Sequence, residues 1–269
     1  MSHETLRILQ NGFYEANGRR IDIGADVERA CAATRAHSPA ALRRAATRLA
    51  TTNGEHRGAV SITAESTTGA ARRLLERSGS EHVRVACLNF ASAKNPGGGF
   101  LGSALAQEET VCRSSALYPT LLTQRLYYDE NRSARDARYT DWAITSPDVP
   151  IFRDDAMKLL DAPVLASFVT MPAPNASALE RIDPRELATI FERRIEHVFS
   201  LGVELRATHL VLGAWGCGAF RNDPALVARA FHEVLSRGFA RHFEEVVFAI
   251  YAIHKQDRNL EAFRAVFER

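Results

Sequence analysis

Three consecutive glycines, Gly97-Gly98-Gly99, are separated by seven residues from Gln107-Glu108-Glu109. A run without Cβ atoms admits positive φ and lets a ligand approach main-chain N–H groups closely. Such an array can cradle phosphate without cationic side chains. The segment Asn95-Pro96-Gly97-Gly98-Gly99-Phe100-Leu101-Gly102 could also be a plain flexible loop, but it runs between a buried strand and a helix, where a ligand loop is expected. The two glutamates admit two readings. Acidic residues in a first helical turn complement the helix dipole. Either could instead move a proton, although the positive end of a helix favours the anion, so a general acid there needs desolvation or neighbouring negative charge. Position alone leaves both readings open.

A second glycine-rich segment runs Gly213-Ala214-Trp215-Gly216-Cys217-Gly218-Ala219-Phe220-Arg221-Asn222-Asp223-Pro224. It follows an apolar strand and enters a helix, the arrangement that holds phosphate at a helix N-terminus. Its spacing is neither GxGxxG nor a Walker A loop, and the chain has no Gly-Lys-Ser/Thr, which argues against an NTPase. Cys217 could be a nucleophile, but no charge partner is visible, and its small size between glycines accounts for it as well. Phe220 reads as a core residue or as an aromatic lid for a base or sugar, and Trp215 as packing.

These loops need a scaffold, and the surrounding pattern alternates strand and helix. Ala59–Thr63, Val83–Phe90, Pro163–Thr170, His209–Gly213 and Glu245–Tyr251 read as strands. Thr67–Arg77 (closed by Gly79), Ala106–Tyr118, Asp183–Phe199, Asp223–Arg237 and Asn259–Glu268 read as helices. Residues 124–150, polar and aromatic with Pro147 and Pro150, read as a long surface excursion. Ahead of them, residues 12–23 read as a hairpin with Asn17-Gly18 at its turn, followed by helices over Asp26–Ala36 and Pro39–Ala50. The expected fold is α/β, a sandwich with a mostly parallel or mixed sheet. Residues 1–55 are taken as an accessory, mainly helical extension packed on a core of residues 56–269. Both glycine loops follow apolar strands, at the strand ends where such folds bind ligands.

Composition narrows the class. The chain has 269 residues, 46% hydrophobic and 25% charged, and a net charge of +2. At this length about three quarters of the unfolded surface is buried without disulfide staples. The charge balance argues against a protein that holds nucleic acid by bulk electrostatics. A polyanion would have to be bound locally. Cys31, Cys87, Cys112 and Cys217 are scattered without metal-ligand spacing and read as reduced thiols. No apolar run reaches membrane length, and the N-terminus lacks a signal-peptide core, so a cytoplasmic protein without a metal or cofactor is expected.

With both loops in view, the sequence resembles the bacterial-type poly(ADP-ribose) glycohydrolases, a branch of the macrodomain superfamily. Their signature is a glycine triplet followed, after six to eight residues, by Gln-Glu-Glu. Asn89 to Gly102, Ser146-Pro147-Asp148-Val149-Pro150-Ile151-Phe152-Arg153, Pro172-Ala173-Pro174-Asn175 and Gly213 to Pro224 are similar as well, so the resemblance spans nearly the whole chain. It implies a three-layer α/β/α macrodomain-like sandwich and hydrolysis of ribose-ribose O-glycosidic bonds, releasing ADP-ribose. It further implies Glu109 as the catalytic acid, Glu108 as the residue orienting the adjacent ribose, and Gln107 as loop support. Gly97, Gly98 and Gly99 would be the catalytic-loop backbone near the diphosphate. Gly216, Cys217, Gly218 and Ala219 would form the diphosphate loop, with Phe220 positioning the terminal ribose and Asn95 contacting a ribose. Glu65 is a candidate for the adenine side. The implied partners are poly(ADP-ribose), ADP-ribose and ADP-ribosylated proteins, with a place in reversing ADP-ribosylation after DNA damage and no direct nucleic-acid or membrane contact.

Glycosidases usually divide the work between two separated carboxyl groups. Adjacent helical residues diverge by roughly 100°, so Glu108 and Glu109 are not expected to flank one bond. A single carboxyl group, Glu109, is expected to protonate the leaving oxygen and then activate water, with the substrate's own diphosphate stabilising the cationic ribose. A non-catalytic ADP-ribose reader, or a hydrolase for single protein-linked ADP-ribose units, are the alternatives.

Overall fold

The computed structural model describes residues 1–77, 82–180, 183–252 and 257–268. Gly79, the expected end of the helix over Thr67–Arg77, lies outside them. The chain begins with α1 (Ser2–Asn11), which Gly12 ends in the left-handed conformation at φ 73°. The hairpin β1 (Phe13–Ala16) and β2 (Arg19–Asp22) turns at Asn17 and Gly18, both at positive φ, as a two-residue turn requires. Next come α2 (Gly24–Ala33), β3 (Arg35–His37) and α3 (Pro39–Ala50), whose start is capped by Ser38. The helix expected to reach Ala36 therefore stops at Ala33 and gives way to a short strand.

The remaining elements are β4 (Ala59–Thr63), α4 (Thr67–Arg77), β5 (Val85–Phe90), α5 (Gln107–Ser114), α6 (Leu117–Leu122) and α7 (Arg125–Ser133). Then follow β6 (Ala143–Arg153), β7 (Leu159–Met171), α8 (Pro184–Glu204), β8 (His209–Leu212), α9 (Pro224–Ser236), β9 (Glu245–Ala249) and α10 (Arg258–Phe267). Asp183 and Asp223 cap α8 and α9 with their side chains, each ahead of a proline at the first helical position.

The main sheet has seven strands in the order β3-β6-β7-β5-β8-β9-β4. The five from β7 to β4 are parallel, β6 runs antiparallel to β7, and the edge strand β3 is antiparallel to β6. Alternate residues of each central strand face opposite cores. Ala86, Leu88, Leu210, Leu212, Val246 and Phe248 join Leu42 of α3 and the helices α8, α9 and α10. Val85, Cys87, Val211 and Val247 face α1, α2, α4, α5 and α6. This period-2 split produces the three-layer sandwich. Helices from the first 55 residues enter both outer layers, and β3 is the sheet's edge strand, so this segment takes part in the sheet as well as packing on it.

Residues 124–150 are not a surface excursion: they hold α7 and most of β6, and Tyr127, Tyr128, Ile144 and Val149 are buried. Pro147 is tolerated because the β6–β7 register shifts between Ser146 and Val149, where Asp148 adopts φ 49°, whereas Pro150 lies past the shift and pairs with Leu165. The helix expected over Ala106–Tyr118 is broken at Ser115, which is extended and bridges to Ile151, leaving α5 and α6.

Candidate active site

The parallel strands all end at one edge of the sheet, and Gly97–Gly99, Gln107–Glu109 and the Gly213–Pro224 loop leave from that edge. The first glycine loop is wound tightly. Gly98 N–H donates to Asn95 O, Phe100 N–H to Gly97 O and Gly102 N–H to Gly99 O. Gly97 and Gly98 sit at φ 69° and 57°, which glycine reaches without penalty.

Glycine also makes room at this loop. A Cβ on Gly98 would overlap Glu109 Oε1 and lie 3.0 Å from Glu108 Oε2. Both carboxyl groups therefore converge on one glycine, despite leaving the helix in different directions. The divergence expected from helix geometry does not keep them apart, because each side chain wraps the same stretch of loop from the start of α5.

Their surroundings differ. Glu108 is 3% exposed. Its Oε1 accepts from Asn89 Nδ2 at 3.1 Å, and its Oε2 from the Ser92 N–H at 2.7 Å. Burial raises its pKa to about 8, with a further push from Glu109, while bonds from Ser92, Asn89 and the Gly97 backbone act against the rise. Desolvation thus outweighs the hydrogen bonds that favour the anion at this position. Glu109 is 7% exposed and accepts the Gly99 N–H on Oε1 at 2.7 Å. Its Oε2 is buried and bonded to no protein group. An unpaired buried carboxylate oxygen is costly, and such atoms concentrate where a ligand completes the set.

Gln107 fastens the start of α5 to the sheet. Its Oε1 accepts the Phe90 N–H at 2.9 Å, and its Nε2 donates to Leu88 O and to Thr67 Oγ1. Asn95 is exposed, and its carbonyl closes the turn onto Gly98. Glu65 is held by Arg73 in an ion pair of 2.6 Å.

In the second loop, Asn222 is buried and braces the turn. Its Nδ2 donates to Pro174 O and Gly216 O, and its N–H donates to Gly216 O. Gly216 has φ 73° and no space for a Cβ, whereas a Cβ on Gly218 would meet nothing. Gly218 and Ala219 present exposed backbone. Burial pushes the Cys217 thiol up to about 12, which removes it as a nucleophile at neutral pH. Phe220 packs on Tyr139 at 5.9 Å between ring centres rather than on the glutamates. Trp215 is fully buried edge-on against Phe191.

Several supporting residues escape sequence reasoning. Asn89 lies inside an apolar strand and pairs with Thr170 through Nδ2 at 3.2 Å. A fully buried polar residue near the end of such a run was the available signal. Arg194, 1% exposed, bonds Asp141 and the carbonyls of Pro172, Arg138 and Tyr139. It ties the segment carrying Tyr139 to the loop after β7. Among the described residues, no group of three or more His, Cys, Asp or Glu is placed to hold a metal ion.

The family described as "Microbial-type PARG, catalytic domain" matches residues 2–154, a span that includes both the glycine triplet and Gln107-Glu108-Glu109. No curated protein sequence matches the chain. Among solved structures, the poly(ADP-ribose) glycohydrolase of Thermomonospora curvata is similar with a TM-score of 0.94 and 40% identity, covering 99% of this chain and 97% of that one. The same enzyme bound to the inhibitor ADP-HPD gives a TM-score of 0.90 at 40% identity, with 99% and 97% covered. The Deinococcus radiodurans glycohydrolase in complex with ADP-ribose gives 0.81 at 44% identity, covering 90% of this chain and 96% of that one. The chain belongs to the microbial-type poly(ADP-ribose) glycohydrolase family, a group of glycoside hydrolases acting on poly(ADP-ribose).

Proposed function

We propose that this protein hydrolyses the ribose-ribose bond of poly(ADP-ribose) with Glu109 as its single catalytic carboxyl group. One observation carries the assignment. Glu109 keeps a buried oxygen without a protein partner, while both oxygens of Glu108 are already bonded. In its acid form Glu109 gives its proton to the bridging oxygen. The bond from the anomeric carbon to that oxygen breaks, and its electron pair stays on the leaving hydroxyl. The ribose becomes an oxocarbenium-like cation. Water then attacks the anomeric carbon, and the Glu109 carboxylate takes the water's proton, which restores the starting state. The diphosphate of the same unit, folded against the loops, offsets the positive charge on the ribose.

The other roles follow from position. Glu108 orients the ribose beside the scissile bond with the acceptor capacity left on Oε1. Gln107 fixes α5, and Gly97–Gly99 admit the substrate to the backbone. Gly216–Ala219 take the diphosphate through backbone N–H groups, and Phe220 with Tyr139 borders the terminal ribose. Asn95 is a rim contact. No metal takes part in this scheme. The substrates are poly(ADP-ribose) and its ADP-ribose units on modified proteins, in the cytoplasm. No helix of the described residues is long and apolar enough to cross a membrane.

The test is product analysis. The protein incubated with poly(ADP-ribose) in EDTA should release free ADP-ribose. Binding of ADP-ribose without turnover would instead make it a reader.

A further inference from the structure

Arg113 is 5% exposed in the last turn of α5, where a cation complements the helix dipole. Its partners are neutral. Nε donates to Ser2 Oγ at 3.3 Å, Nη2 donates to Gly102 O at 3.3 Å, and Nη1 is buried without a partner. The Ser2 hydroxyl passes the bond on, donating to Phe100 O at 2.6 Å. From the next turn of α1, Thr5 Oγ1 donates to Arg113 O at 2.9 Å. The first helix of the chain thus grips both α5 and the loop in front of it. Burying a charge among neutral partners is costly, and an exposed lysine would serve the dipole as well.

The geometry around Glu109 gives Arg113 a purpose. Glu109 and Arg113 are four residues apart, so they share one face of α5. That face holds the loop at two points. Glu109 Oε1 accepts the Gly99 N–H at 2.7 Å, and Arg113 binds the Gly102 carbonyl three residues on. Between them Phe100 is fully buried and packs on Tyr118 at 4.8 Å between ring centres. The second point fixes where the loop stands against the helix. It thereby fixes where Gly99 holds one oxygen of Glu109 and how the free oxygen, Oε2, is presented. We infer that Arg113, bridged by Ser2, is a positioning residue that sets the Glu109 carboxyl group for proton transfer, an inference that rests on the proposed role of Glu109. Residues 1–55 then contribute to the reaction as well as to the sheet.

Two variants test the clamp. Arg113→Lys keeps a charge at the helix end but loses the fork that spans a hydroxyl and a carbonyl. Ser2→Ala removes one hydroxyl from a half-buried position in the first turn of α1, where folding is least at risk. Calorimetric titration with ADP-ribose gives Kd and the number of competent sites, and chain hydrolysis is then expressed as kcat per competent site. A slightly misplaced group can cost about a hundredfold, so Arg113→Lys should lower kcat per site by at least about tenfold. Ser2→Ala should lower it several-fold, and both should keep Kd within a few-fold of wild type. A merely structural role would reduce competent sites and total rate together and leave kcat per site unchanged. Wild-type kcat per site in either variant would overturn the inference. Wild-type protein that binds ADP-ribose yet releases none from the polymer would remove the hydrolase reading and the clamp's role with it, a result visible before any variant is compared.

Discussion

Gly98 and Glu109 share a space that only glycine leaves open, because a Cβ on Gly98 would overlap Glu109 Oε1. Gly98→Ala would therefore displace the carboxyl group and also force alanine to φ 57°. A misplacement of this kind costs about a hundredfold in rate. Steady-state kinetics should show kcat/KM on poly(ADP-ribose) falling by at least that factor. A near-native value would mean that the position of the Glu109 carboxyl group does not matter.

Gly218 gives the contrasting case. It has ordinary φ and open space around its Cα. Gly218→Ala should leave thermal unfolding unchanged. If the loop backbone meets the diphosphate, it should raise KM several-fold at a constant kcat. An unchanged KM would take Gly218 out of the diphosphate loop.

Glu108 makes stability depend on pH. Its folded pKa, about 8, lies above the ordinary value of 4.5. Between those values the folded state holds a proton that the unfolded chain has released, so this group's contribution to stability falls as pH rises from about 4.5 to about 8 and is flat above. Glu108→Gln keeps the neutral shape and should remove that part of the slope. Urea unfolding at several pH values checks it, and parallel curves for both proteins would contradict the buried acid.

Much of this site was legible in the sequence because its backbone features are written in residue types. Asp-Pro caps have one ready structural meaning, and the glycine triplet and Gln-Glu-Glu, though each open to a second reading alone, stand at a spacing that carries the family resemblance. What stayed hidden depends on contacts between distant segments. Pro147 reads as loop because the bulge that accommodates it exists only once β7 pairs with β6. Ser115 breaks the expected helix because Ala116 N–H finds Pro150 O, 34 residues on. The convergence of Glu108 and Glu109 depends on the path of residues 92–99, which a helical wheel does not include. Asn89 and Arg194 look like an ordinary strand residue and an ordinary helix residue until their buried partners are seen.

Arg194 and Asp141 should carry much of the rigidity behind the second loop. Asp141 is pushed up by burial, but its bonds and charge contacts with Arg193 and Arg194 prevail and hold it at about 2. Its contribution is present above the usual carboxylate range and is lost as pH falls through about 2. Arg194→Met leaves Asp141 with Arg193 alone and takes the donor from the Pro172, Arg138 and Tyr139 carbonyls, and should cost about 3–5 kcal/mol, measured by chemical denaturation near neutral pH. A loss below about 1 kcal/mol would show that the network is dispensable, since that is the scale of an exposed ion pair.

The most direct test of the account is Glu109→Gln, which preserves shape while removing the proton that moves. Chain hydrolysis and ADP-ribose binding should be measured on the same preparation. The account predicts that hydrolysis falls by at least about a hundredfold, the lower scale of a lost acid–base group, while ADP-ribose affinity stays within a few-fold of wild type. Hydrolysis at a near-native rate with affinity retained would contradict it.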